Sequence, residues 1–434
     1  MNKQAMKEKL CAAIDARRDE IIAIGSQIYA RPELGYKEVH TAGVVQKVFG
    51  DLGLEHRTGI GLTGVRAEMQ GRASKVKVAV LGELDAVVCP EHPHADPQTG
   101  AAHSCGHNVQ IAGMLGVAMA LKDTGIMSEL DGDIAFMAVP AEEFVELEYR
   151  NKLRNQGKIK FLGGKQELIA LGEFDDIDVT MMFHSANSER KIGIGGSSNG
   201  FIGKLIKYIG KEAHSGGAPH LGINALNAAM LGLMGVHAQR ETFLDDDHIR
   251  VHPIITKGGD LVNIVPADVR METYVRGNDM DAIINASAKV DRALRAGADA
   301  VGAKVEIVQL PGYLPRYQAD ALNDIFYQNA VALVGEDEVS LGGHGGGSSD
   351  IGDISALMPT IHPYVGGVSG HGHASDYFIS DPELAYIVPA KLMAMGLVDL
   401  LADGAAGVAQ CQADFKPLYT RESYLKMWED LLGE

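Results

Sequence analysis

The sequence predicts an α/β protein built on a mostly parallel sheet with helices on both faces, into which a smaller α+β domain is inserted. Three observations carry this. Through roughly the first 190 residues, apolar strands of the buried type alternate with helical patterns, the periodicity of stacked strand–helix units. Near Ser198 the texture changes, and two helices interleave with four strands over about 110 residues. After Pro311 the first texture resumes. A chain of 434 residues also exceeds what one core usually supports. The expected division is therefore residues 1–197 with 312–434 as the larger domain, and 198–311 as the insert.

The elements follow in order. MNKQAMKEKLCAAIDARRDEIIAIG mixes charges with apolar residues at helical spacing, so it reads as an amphipathic helix and not as a signal peptide. TAGVVQKVFGDL is a second helix, GVRAEM and VKVAVLGELDA are strands, and IAGMLGVAMALKD is a buried helix. GDIAFMAVPAEE is a buried strand running into a loop, and DIDVTMMFHSA is another strand. In the insert, NGFIGKLIKYIG and DHIRVHPIITKGG are β-rich, HLGINALNAAMLGLMGVHAQ is a long apolar helix and ADVRMETYVRG is a strand. MDAIINASAKVDRALRAGADAVGA, a second helix, precedes the strand KVEIVQL. Sites in such sheets gather at the carboxyl ends of strands. Asp85, the Glu142 and Glu143 pair and His184 all stand there.

Composition narrows the partners. A net charge of −18 repels phosphates and anionic lipid, so neither nucleic acid nor a membrane surface is expected, and a small-molecule substrate is. No stretch is read as approaching the run of about 18 apolar residues that spans a bilayer, which places the protein in the cytoplasm. Cys11, Cys89, Cys105 and Cys411 are scattered and form no disulfide framework.

Four chemistries compete for HSCGH at residues 103–107: a thiolate nucleophile, half of a disulfide, a structural zinc knuckle, or one edge of a catalytic metal site. The scattered cysteines weaken the disulfide. A knuckle needs further Cys or His nearby, and none follows for a long stretch. In an extended segment Cys105 and His107, two apart, point the same way and can meet one cation or two neighbouring ones. The bland alternative is a buried cysteine beside two hydrogen-bonded histidines. In PAEE, adjacent carboxylates diverge, so one can bind a cation while the other transfers a proton; the alternative is a solvated acidic pair starting a helix. His184 at a strand end is either a satisfied structural residue or a ligand. SGHGHASDY offers His371 and His373, and GGHGGGSSDIGD offers His344 and Asp350 but no phosphate-loop lysine. In the insert, His214, His220, Asn263, Arg270 and Arg276 are polar donors better suited to charge stabilisation than to metal binding.

Together these segments resemble the M20 family of metal-dependent peptidases and amidohydrolases, in particular its branch with a cysteine ligand. RPELGYKEVHTA, GELDA, HSCGHN, PAEE, His184, AHSGGAPHLGINAL, VNIVPADVRMETYVRG, GSSDIGDIS and GHGHASDY occur in the family's order over nearly the whole chain. The resemblance implies a zinc-peptidase-like catalytic domain and a lid domain that mediates homodimerisation. It implies two divalent ions, zinc or manganese, held by Cys105, His107, Glu143, His184 and His373. Glu142 is then the general base, His214 polarises the scissile carbonyl from the lid, and Asn263 and Arg276 hold substrate. Asp85 would orient a ligand histidine from behind.

Where aminoacylase-like members have Asp and His after CGH, this chain has Asn108 and Gln110, and a long segment, residues 144–178, separates the Glu pair from His184. CGHN, GELDA and GSSDIGDIS are similar to the aminobenzoyl-glutamate hydrolase and β-alanyl-dipeptidase-like members. The expected reaction is hydrolysis of the amide bond of an N-acyl amino acid, a dipeptide or an aminobenzoyl-glutamate-like substrate. The alternative on the same site is hydrolytic deamination of an aromatic or related amine. A Cys105-dependent amidase and a non-catalytic binding protein are the remaining alternatives.

Overall fold

The computed structural model describes residues 1–433. The chain forms two compact units. The first takes Met1–Ser197, Tyr317–Gly343 and Asp353–Leu425; the second takes Ser198–Arg316, His344–Gly352 and the C-terminal segment from Lys426. The return to the first unit therefore falls at Tyr317 and not at residue 312. Backbone hydrogen bonds explain the shift: Phe201 N donates to Tyr313 O at 2.8 Å, and Arg316 N to Ser198 O at 3.2 Å, which ties 312–316 to the second unit. His344–Gly352 joins it too, with Asn199 N donating to Gly345 O at 3.1 Å.

In the first unit the opening stretch is two helices and not one, α1 (Lys3–Ala16) and α2 (Arg18–Tyr29). Asn2 caps α1 by accepting from Ala5 N. The interruption is Arg17 at φ −99° and ψ 5°, whose side chain is drawn to Asp123 at 2.8 Å and Glu20 at 2.6 Å. Then come α3 (Val39–Asp51), β1 (His56–Ile60), β2 (Gly64–Met69), β3 (Lys77–Glu83), α4 (His107–Thr124), β4 (Asp133–Val139), α5 (Leu147–Asn155), α6 (Gly164–Ala170) and β5 (Val179–Met181).

The sheet runs β1–β2–β4–β3–β5 and ends on the strand Thr360–Ile361. The β1–β2 and β2–β4 pairs are antiparallel. The β4–β3 and β3–β5 pairs, and that of β5 with Thr360–Ile361, are parallel. Every residue of β4 is buried, as expected of a strand covered on both faces. The register pairs Glu83 with Val139, so β3 and β4 end side by side and the GELDA and PAEE segments leave the sheet as neighbours.

Helix α4 is buried from His107 to Leu121, and each fully buried Val, Leu, Ile or Met on it contributes about 1.5–3 kcal/mol. One further stretch, Glu383–Leu401, is long and apolar enough to cross a membrane, contrary to the sequence expectation; 78% of it is buried inside the protein, as a core helix is. Segment 144–178 folds back against the PAEE strand end. Gly164 N donates to Ala141 O at 3.1 Å, and the buried Arg150 guanidinium donates to Leu162 O at 2.9 Å and Ala141 O at 3.3 Å. A Cβ at Gly164 would lie 1.6 Å from Pro140 O, so α6 abuts that backbone directly.

The second unit is an antiparallel sheet of β6 (Gly200–Ile209), β7 (Asp268–Gly277) and β8 (Lys304–Leu310), with helices α7 (Ala225–Gln239) and α8 (Met280–Val301) packed on it. Its order is Arg250–Val251, β7, β6, β8, and Ile254–Lys257 also pairs with β7. Alternate residues of β7 are buried, the pattern of a sheet with one covered face. Asp279 caps α8 by accepting from Ala282 N, and Gly302 ends it at φ 74°.

Candidate metal centre

The polar cluster lies where the carboxyl ends of β3, β4 and β5 converge. Cys105 and His107 are not in an extended segment. Gly106, at φ 87° and ψ 20°, turns the chain in the left-handed region, and His107 is the first residue of α4. A Cβ at Gly106 would sit 1.9 Å from Ser185 Oγ and 2.4 Å from Tyr377 Oη, so only glycine fits. The turn brings the thiol and the imidazole round to the same space by a route that alternation along a strand does not describe.

Cys105 Sγ lies 3.4 Å from His184 Nε2 and 3.3 Å from His373 Nε2. His373 Nε2 is also 3.1 Å from Glu143 Oε1. Two trios of donor atoms result, Cys105–His107–His184 and Cys105–Glu143–His373, the atoms of each within 4.8 Å of one another. Both use the one sulfur. Glu142 is buried beside them, its Oε2 3.8 Å from His107 Nε2. The pair is not a solvated acidic patch: both glutamates are buried, and Ala141 before them takes φ 53°.

Backbone acceptors fix the imidazoles. His107 Nδ1 lies 2.9 Å from Asp85 O and His184 Nδ1 2.7 Å from Ser185 O. Each Nδ1–H donates to its carbonyl, which leaves the Nε2 lone pair for the cluster. Asp85 works mainly through that carbonyl; its Oδ1 is 3.3 Å from His107 Nδ1, and its Oδ2 accepts from Glu143 N at 2.9 Å.

These donors fit divalent cations. His107 Nε2 and Glu143 Oε1 are buried without a well-formed hydrogen bond, their nearest polar neighbours being Glu83 Oε2 at 2.9 Å and His373 Nε2 at 3.1 Å. Lone pairs crowded together without donors need a cation between them, and thiolate, imidazole and carboxylate together are a donor set zinc accepts.

Electrostatics agree. Burial and Glu143 push the Cys105 thiol up, but His184 and His107 outweigh them and bring it down to about 6. Burial raises Glu143, yet His373 and His107 hold it at about 2. Glu143, with Cys105, lifts His373 to about 11. Burial lowers His107, but Glu83 and Cys105 drive it well above its ordinary value. The cluster thus keeps its anionic donors ionised and gathers positive charge.

Other candidates have different surroundings. His371 is exposed and pairs with Asp376 at 3.1 Å. His103 is buried, neither ring nitrogen makes a hydrogen bond, and burial with neighbouring His107 depresses it to about 3. Asn108 donates to Tyr386 Oη at 2.9 Å and so serves packing. Gln110 bonds Glu83 twice, from Nε2 to Oε2 at 2.8 Å and from Glu83 N to Oε1 at 3.0 Å. Glu83 and the fully buried Lys165, whose Nζ contacts Glu83 Oε1, were missed. Glu83 stood in plain view inside GELDA, whereas Lys165 had no signal beyond the unusual length of its segment.

In the second unit, His214 is exposed and its Nδ1 accepts from Gly217 N at 2.9 Å and Gly216 N at 3.2 Å. Its Nε2 therefore carries the proton and is a donor. Asn263 O accepts from Ser215 N at 3.0 Å, which brings Asn263 next to the His214 segment. Arg276 donates to Ser348 Oγ at 2.8 Å and lies over the rings of Phe201 and Tyr274. His344 Nε2 is 3.0 Å from Asn199 Oδ1.

Comparison with known proteins supplies the wider frame. Over 92% of its length the chain is 27% identical to Xaa-Arg dipeptidase of Mus musculus, covering 89% of that protein. It is 26% identical to N-acyl-L-amino acid amidohydrolase of Geobacillus stearothermophilus over 71% of this chain and 80% of that one. A solved structure from Bacillus subtilis, described as a dinuclear metal-binding peptidase from the M20 family, shares the fold with a TM-score of 0.65 at 21% identity, over 88% of this chain and 98% of that one. The model of peptidase family M20/M25/M40 matches residues 79–391, a span that holds every donor of both trios. The chain is a metal-dependent hydrolase and belongs to peptidase family M20/M25/M40.

Proposed function

We propose that the protein hydrolyses the amide bond of a dipeptide or a related N-acyl amino acid, with two divalent ions, zinc or manganese, held by Cys105, His107, Glu143, His184 and His373. The observation that carries the reading is a buried glutamate, Glu142, beside two donor trios that share the Cys105 sulfur. The dipeptidase and amidohydrolase relatives support this substrate class. Bound divalent ions supply Lewis acidity and lower the pKa of a water at the site.

Glu142 takes the proton of the attacking water and returns it to the leaving amine nitrogen, which cannot depart as an anion. His214 Nε2–H stabilises the developing oxyanion, a donor whose loss typically costs about 3 kcal/mol. Asn263 assists, and the Arg276 guanidinium, which lies over Phe201 and Tyr274, receives a substrate carboxylate as a planar fork. The second unit is a lid and the surface through which two copies associate. Met230, Leu231 and Met234 on α7, with Leu261 and Val262, leave large apolar side chains exposed for that purpose. The net charge of −18 supports an enzyme of small substrates with no affinity for nucleic acid or membrane, and the compartment we assign to it is the cytoplasm.

Glu142→Gln is expected to lose a factor of about 10² to 10⁴ in turnover of Xaa-Arg dipeptides and N-acyl amino acids while elemental analysis still finds both ions. Full activity in that variant overturns the mechanism. Unchanged KM for carboxylate substrates in Arg276→Ala removes the fork, and a monomer by sedimentation removes the dimer.

A further inference from the structure

The hydrolytic scheme leaves Glu83 and Lys165 without a role, although both are buried, Glu83 against His107 and Lys165 against Glu83. Glu83, His107 and Glu142 form a third donor trio, all buried, again within 4.8 Å. It competes with Cys105–His107–His184, because both need His107 Nε2 while Nδ1 faces Asp85 O. On charge alone the third trio is the stronger trap: two carboxylates against one thiolate. An ion drawn into it would leave the shared sulfur and tie up Glu142.

Something must offset Glu83, and the structure supplies a cation. The Lys165 ammonium contacts Glu83 Oε1, and Gln110 Nε2 occupies Oε2 at 2.8 Å. The lysine is set rigidly. It is the second residue of α6, whose first, Gly164, abuts Pro140 O, and Gln166 beside it donates to Asp353 Oδ1 at 3.1 Å. Lys165, Gln166 and Glu167 are buried in succession. A short helix that buries three such side chains is not a surface elaboration.

We propose that Lys165 is a positioning residue for the metal centre: by holding Glu83 it keeps the divalent ion on Cys105–His107–His184 and off Glu83–His107–Glu142. The inference rests on the ligand assignment proposed above. It gives residues 144–178 a function, the delivery of a fixed internal cation, and it makes the availability of Glu142 as a base depend on a residue that touches no substrate.

Cobalt(II) loading of the full chain reads the outcome directly, because thiolate-to-cobalt charge transfer reports ions bound to a cysteine, and Cys105 is the cysteine that belongs to the donor trios. The wild type should hold two cobalt ions per chain with a strong near-ultraviolet thiolate band. Lys165→Met should keep its cobalt but lose about half of that band as one ion moves to the carboxylates. Adding Glu83→Gln to Lys165→Met should restore it, since the competing donor is gone. A folded Lys165→Met protein with the wild-type band and two ions overturns the proposal. Glu83→Gln with Lys165 in place provides an arm that does not depend on the folding of Lys165→Met. It should retain the band, and loss of the band with one cobalt would make Glu83 a ligand and overturn the proposal as well. A wild type with cobalt but no thiolate band overturns instead the ligand assignment on which the inference stands.

Discussion

Replacing Gly106 by alanine tests whether the left-handed turn between Cys105 and His107 sets the geometry of the centre. Residue 106 sits at φ 87°, where an L side chain costs about 1–2 kcal/mol. The added methyl would stand 1.9 Å from Ser185 Oγ and 2.4 Å from Tyr377 Oη, two atoms that hydrogen-bond each other at 2.7 Å. Ser185 Oγ can rotate away, but Ser185 Cβ at 3.2 Å cannot, and the Ser185–Tyr377 bond is lost, at about 1 kcal/mol. Overpacking adds about 1–2 kcal/mol. The sum, about 3–5 kcal/mol, corresponds to a thermal midpoint lower by roughly 5–8 °C for a unit of this size. Because the strained residue lies between two donors, metal affinity falls with stability. Differential scanning of the metal-stripped protein and a chelator competition titration measure the two effects. A Gly106→Ala protein within about 1 °C of the wild type, less than 1 kcal/mol at this size, with unchanged affinity, would refute the reasoning.

Two pH experiments follow from the same cluster. In the metal-stripped protein, alkylation of Cys105 across pH should titrate with a midpoint near 6, far from the ordinary thiol value of 9.0. At pH 7 about nine-tenths of that thiol is then thiolate, and a midpoint at about 9 or above would contradict the cationic surroundings. Glu143 and His373 also bracket a stability window in the stripped protein. Glu143 is depressed, so its contribution is complete above about 4.5 and is lost as pH falls towards 2. His373 is raised, so its contribution is complete below about 6.5 and is lost as pH rises towards 11. The pair therefore stabilises most between about 4.5 and 6.5. Thermal midpoints in Glu143→Gln should flatten across the wider range, with a modest amplitude because His373 is half exposed and screened by solvent. An unchanged pH profile would argue against the pair.

The donors of both trios are legible in the sequence because each sits where a strand or loop pattern ends, in motifs dense with chemistry. How they come together is less so. The spacing of Cys105 and His107 suggests an extended segment, but a single glycine with positive φ replaces alternation by a turn, and backbone handedness leaves no periodic trace. Arg17 breaks a helix whose apolar spacing continues across it, because its backbone turns to φ −99° and ψ 5°, a departure that apolar periodicity does not record. The domain edge at residue 312 moves to 317 because of long-range hydrogen bonds to Ser198 and Phe201. Lys165 is the deepest omission. A lysine in a polar stretch reads as solvated, and only the fold shows it enclosed against Glu83. Asn108 and Gln110 are clarified in turn: one packs against Tyr386, and the other belongs to the Glu83 network rather than to the substrate.

The double hydrogen bond between Gln110 and Glu83 carries a consequence for how such a chain can change over generations. A histidine at 110 has no way to donate and accept along that edge as an amide does, and Lys165 would remain to fill the charge. Gln110, Glu83 and Lys165 therefore form a linked set of substitutions: altering any one alone passes through a protein with a buried group left unmatched. A designer wishing to graft an aminoacylase-type HSCGHDxH stretch onto this scaffold would have to rewrite all three positions, and the helix that bears Lys165, in a single step.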